Sequence, residues 1–136
     1  MAAALADRLY RQSGWDTEIQ SAGLAVFAAQ PASVHAADLM RDENLDISGH
    51  RSRMVTQAMA GEADLILTMT QAHKAALLAR FSRCEDKTFT LGEYAGNGAD
   101  IPDPFGGGRD LYRACADLIA EQLRGAIEKI ARIYSE

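Results

Sequence analysis

Asp103 is the residue of this chain best placed to handle a proton. It stands in Ile101-Pro102-Asp103-Pro104-Phe105, ahead of Gly106, Gly107 and Gly108. A carboxyl group held in a loop acts as a general acid when protonated and as a base when ionised. The two prolines stiffen it: Pro104 disfavours helical backbone angles at Asp103, and Pro102 restrains the residue before it. The glycines permit turns closed to other residues and leave room for a bulky partner. Taken alone, Asp-Pro reads first as an ordinary turn. Phe105, taken alone, reads as a loop anchor on the core.

The remaining reactive residues form no second constellation. The two cysteines, Cys84 and Cys115, make neither a metal nor a disulfide pattern. Cys84 lies among charges in Ser-Arg-Cys-Glu-Asp-Lys and reads as a surface thiol. Cys115 belongs to a helix stripe and reads as a core thiol. His73 falls in the first turn of a helix and reads as a surface residue. No pair of His, Cys or carboxylates has metal-ligand spacing, so no metal is expected.

The elements that must hold Asp103 follow from periodicity. Residues 1–12 predict a helix, with Met1, Leu5 and Leu9 on one face and Ser13-Gly14 as the stop. Residues 17–23 predict a short strand, and residues 31–44 a helix with Pro31 near its first turn. Residues 45–62 connect, with a helical turn around Thr56 to Ala60. Residues 63–69 predict a strand whose core, Leu65-Ile66-Leu67, is apolar throughout, as a strand covered on both faces would be. Thr70 caps a helix to about Arg80. Residues 87–91 predict another strand. Asp110 caps a long last helix, with Leu111, Cys115, Leu118, Ala126, Ile127, Ile130 and Tyr134 on or near its buried stripe. Gly125 either weakens that helix or allows close packing. Strands that alternate with helices predict one α/β domain over residues 1–136, three-layered around a mostly parallel sheet.

Composition excludes several classes. The net charge is −5, with 48% hydrophobic and 24% charged residues. That balance argues against a nucleic-acid partner. No stretch approaches the roughly 18 apolar residues of a membrane span. The N-terminus, with Asp7, Arg8 and Arg11 among its apolar residues, does not read as a signal peptide. A cytoplasmic protein without a membrane partner is expected.

The first helix lacks a normal start. A helix leaves its first N–H groups unpaired and is usually preceded by Ser, Thr, Asp or Asn. Here Met1 stands at that place, and its ammonium group faces the positive end of the helix dipole. Either the helix frays there, or a strand, a loop and a cap belong upstream.

Three segments carry a resemblance. SAGL at 21–24, ADLILTMTQAHKAALL at 63–78 and KTFTLGEYAGNGADIPDPFGGGRDLYRACADLI at 87–119 resemble the low-molecular-weight protein-tyrosine phosphatases. The likeness is greatest to the bacterial branch that removes phosphate from phosphoarginine. It runs from residue 1 to about residue 125. DPFGG and its spacing to LTMT are specific; SAG alone is weak.

The resemblance implies a sheet of order 2-1-3-4, and a cysteinyl-phosphate reaction on phosphorylated proteins without metal or organic cofactor. It implies that Asp103 is the general acid and base, and that Phe105 lines the substrate mouth. It also implies an opening strand and a Cys-x5-Arg phosphate loop ahead of the segment that matches Met1. The chain holds no such loop, since Thr90 stands six places after Cys84 and Glu121 six after Cys115. The 136 residues are therefore expected to be a truncated, inactive form of the enzyme. The central strand would be absent, leaving a slot of about 9–10 Å between its neighbours. Low stability and self-association through exposed strand edges are the further expectations. The alternatives are a non-catalytic binding remnant, which would have no need of Asp103, and an arsenate reductase-like protein. The latter needs shuttle cysteines that Cys84 and Cys115 are not placed to supply.

Overall fold

The computed structural model describes residues 1–14, 18–24 and 30–134 of the chain, apart from the side chain of Tyr134. Helix α1 (Ala2–Gln12) follows Met1, which supplies no side-chain cap. Gly14 follows its C-cap, at φ +82°, the left-handed angle that ends a helix. Helix α2 (Val34–Asp42) starts later than the proline suggested, because the Ser33 hydroxyl accepts from Ala36 N at 3.2 Å and caps it. Pro31 thus lies outside the helix. Helix α3 (Gln57–Glu62) is capped by Thr56. Strand β1 (Ile66–Thr68) leads into helix α4 (Gln71–Arg80), capped by Thr70. A 3₁₀ segment, Ser82–Lys87, leads into strand β2 (Thr88–Thr90). Helix α5 (Leu91–Ala95) carries a full capping box between Thr90 and Glu93. Helix α6 (Arg109–Tyr134) closes the chain.

The fold is α/β, as expected, and β1 and β2 pair in parallel, with Ile66, Leu67 and Thr68 opposite Thr88, Phe89 and Thr90. Two expectations about the sheet are corrected. Of the strand expected over 17–23, Thr17 lies outside the described residues. The rest makes one parallel bridge, Gly23 to Met54, and no ladder. The 53–55 segment lies beside it there, bonded through Gly23 N to Arg53 O and Val55 N to Gly23 O. Second, Leu65-Ile66-Leu67 is half-buried rather than fully covered. Among the described residues β1 is paired on one edge only, and its apolar side chains lose cover towards the open edge. On β2, Thr88 and Thr90 are buried completely.

The core joins α1, α2, α5 and α6. Leu5, Ala6 and Tyr10 meet Leu39, Met40, Leu91, Tyr94, Ile119, Leu123 and Ala126. Burial of Tyr10 pushes its hydroxyl pKa up, with Tyr94 adding to the effect. Cys84 is corrected from surface to buried: its thiol donates to Ala60 O at 3.6 Å, under α3. The charges around it point outward while the sulfur turns in. His73 is exposed, as expected. Leu111 is corrected from buried to 44% exposed, because the stripe of α6 runs instead through Tyr112, Cys115, Ala116, Ile119 and Leu123. Asp110 lies in the first turn of α6 and not at its cap. Gly125 allows close packing, since a Cβ there would stand 3.0 Å from Ala95 O.

Candidate active site

The loop between α5 and α6 carries Asp103, and it is fastened segment by segment. At its start, Ile101 N donates to Met69 O at 2.9 Å, just beyond the end of β1. The Ile101 side chain is buried in the core. Asp100 accepts from Gln71 N at 3.1 Å, the first amide of α4. The Gln122 side chain, on α6, donates to Asn97 Oδ1 and Ala99 O and holds the approach to the loop. The Cys115 thiol donates to Pro102 O at 3.4 Å. At the far end Gly107 N donates to Pro104 O at 2.8 Å, closing a turn in which Gly106 takes φ +81°. A Cβ on Gly107 would run into the Leu111 side chain. The glycine run therefore forms a fitted turn.

Asp103 itself is exposed. One carboxylate oxygen accepts from Phe105 N at 3.0 Å; the other has no partner among the described residues. The carboxylate is thus oriented by a local bond and still open to a substrate. Phe105 is 86% exposed. Of its two sequence readings, the core anchor is ruled out, because its ring touches no core. The geometry suits proton transfer to a group that docks against the loop.

The start of α6 is tied to the end of α2. Arg109 pairs with Asp42, and Arg113 reaches Glu43 at 3.4 Å. Arg8 of α1 donates to Glu43 O at 2.8 Å and completes the link. A cleft of about 400 Å³ lies along this side, between Leu5, Met40, Ala116 and Arg124. It takes no residue from the Asp103 loop.

Neither cysteine offers a nucleophile. Cys84 and Cys115 are both buried and bonded to carbonyls. Burial, and then the charge of Asp103, push the Cys115 thiol up, which keeps it protonated. No group of three or more His, Cys, Asp or Glu among the described residues suits a metal ion. Sequence reading missed Asp100, Gln122 and the Cys115 bond, because their partners lie 13 to 29 positions away.

The family model described as low molecular weight phosphotyrosine protein phosphatase matches residues 1–135. The chain belongs to this family. It is 33% identical to the protein-arginine-phosphatase of Bacillus subtilis, over 97% of this chain and 88% of that protein. It is also 33% identical to a probable low molecular weight protein-tyrosine-phosphatase, EpsP, of Ralstonia solanacearum, over 95% of this chain and 86% of that one. Among solved structures it is similar to a YwlE arginine phosphatase, a cysteine-to-serine mutant with a phosphorylated active-site serine. That match has a TM-score of 0.93 at 31% identity and covers 98% of this chain and 88% of the other. In this phosphatase chain the Asp103 loop, docked on β1, α4 and α6, is the part of the candidate site that the described residues contain.

Proposed function

We propose that this fold serves a cytoplasmic phosphatase of phosphoarginine in proteins, with Asp103 as general acid and then general base and Phe105 at the substrate mouth. The observation that carries the reading is the Asp103 carboxylate, exposed, oriented through Phe105 N and without a partner on its second oxygen among the described residues. The similarity to arginine phosphatases supports the choice of substrate.

The reaction has two steps. A cysteine thiolate attacks phosphorus, the P–N bond breaks, and the Asp103 carboxyl gives its proton to the leaving guanidine nitrogen. Water then attacks the thiophosphate, Asp103 takes the water proton, and phosphate leaves. The phosphorylated active-site serine of the YwlE mutant supports a covalent intermediate in that relative. The 136 residues supply the acid and hold no Cys-x5-Arg, so by themselves they do not turn over. The edge of β1 left unpaired by the described residues supports self-association of the chain in this form.

The test uses a phosphoarginine peptide and an aryl phosphate. The 136-residue chain is expected to match its Asp103→Ala control. The same chain joined at Met1 to a family strand and Cys-x5-Arg-Ser-Pro loop is expected to release phosphate, with arginine preferred. Asp103→Asn in that fusion should cost roughly 10²- to 10⁴-fold in kcat. Turnover by the 136 residues alone, or a fusion indifferent to Asp103→Asn, overturns the reading.

A further inference from the structure

We propose that Cys115 is a positioning residue for Asp103: its thiol, held inside α6, fixes the peptide that leads into the acid. The proposal rests on the reading of Asp103 as the acid and adds a residue to that site.

The argument begins with the bond itself. Cys115 is 2% exposed, and its Sγ lies 3.4 Å from Pro102 O. The Pro102 carbonyl shares a plane with the nitrogen and Cα of Asp103. A bond that holds this oxygen therefore holds the orientation of Asp103 on its N-terminal side. On the other side Pro104 narrows the backbone angles of Asp103. The carboxylate is then tied by Phe105 N. Ile101 N fixes the preceding residue to Met69 O. Without the thiol, nothing on α6 would bond to the Pro102-Asp103 peptide among the described residues.

The chemistry of the group fits. The bond needs S–H and not a thiolate. Apolar surroundings and the Asp103 charge both favour the protonated thiol. A purely space-filling role for Cys115 would require its volume and no donor.

Nuclear magnetic resonance on the 136-residue chain separates these roles without any need for turnover. Phe105 N–H is bonded to Asp103 Oδ1, so its amide shift follows the protonation of Asp103. In the wild type that shift is expected to change in a single step as the pH is lowered from 7 to 2. Cys115→Val keeps bulk and removes the donor; it should reduce the amplitude by at least half. Cys115→Ser keeps a donor and should restore most of it. Equal curves in wild type and Cys115→Val, or equal losses in the Val and Ser variants, overturn the proposal.

A second measurement leaves Cys115 in place, in case a variant fails to fold. With 13Cβ-labelled cysteine, Asp103→Asn should lower the Cys115 pKa. An unmoved Cys115 would mean that the two groups are not coupled and would equally overturn it. Both readouts are independent of phosphatase activity. Failure here with an active fusion would leave the proposed function standing, and the reverse result would leave the positioning role standing.

Discussion

The carboxylate of Asp100 accepts from the backbone N–H of Gln71 at 3.1 Å. The first amide of α4 is thereby satisfied by a residue of the acid loop, 29 positions away. A helix N-terminus also favours a negative charge. Asp100→Ala should cost about 1 kcal/mol, as loss of a cap does, and lower Tm by roughly 4 °C. Thermal unfolding followed by circular dichroism checks this. Asp100→Asn keeps an acceptor and should lose less than half as much.

Gly92 faces the backbone of Ala99 so closely that a Cβ would collide with the Ala99 carbonyl. Gly92→Ala forces the chain just before the acid loop to move. Overpacking of this kind costs about 1–3 kcal/mol. A urea midpoint unchanged from wild type would contradict the packing described.

Glu93 accepts from Thr90 N at 2.9 Å and pairs with Lys74 at 3.1 Å. The Thr90 amide first, and Lys74 after it, hold the Glu93 carboxyl below its usual range. Its folded pKa lies under the unfolded value of about 4.3. Its contribution is therefore present above that pH and is lost as pH falls through the folded value. Glu93→Gln should flatten this part of the acid limb, so that stability falls less between pH 5 and 3 than in wild type. Urea midpoints across that window give the comparison.

The edge of β1 that the described residues leave unpaired and the half-exposed Ile66 and Leu67 beside it predict self-association and low stability of the 136-residue chain. Light scattering should give a mass that rises above the monomer with concentration. A monomeric mass at every concentration, together with a cooperative transition at 45–65 °C, the ordinary range for mesophile domains, would contradict both.

Local physics made much of the fold legible. Thr56, Thr70 and Gly14 mark helix ends through bonds or angles that involve only near neighbours. Periodicity likewise marked α1, β1 and β2. Ser33, and not Pro31, marks the start of α2, because a hydroxyl that can accept from a residue three places on is the stronger signal. Cys84 misled because polarity of neighbours says nothing about where one side chain turns. The failure at 18–23 has a different cause: a strand exists only with a ladder partner, and pairing is non-local.

For the site, the sequence by itself determined that Asp103 sits in a stiff loop, that three glycines follow it, and that no cysteine has an arginine six places on. Those are matters of residue type and spacing. Tertiary structure decided that the carboxylate is open on one side, that Phe105 stands clear of the core, and that Asp100, Gln122 and Cys115 fasten the loop. The three fastening bonds join residues 13 to 29 positions apart in the chain. Their partners are chosen by how α4, α5 and α6 pack, and no local pattern of residues encodes that choice.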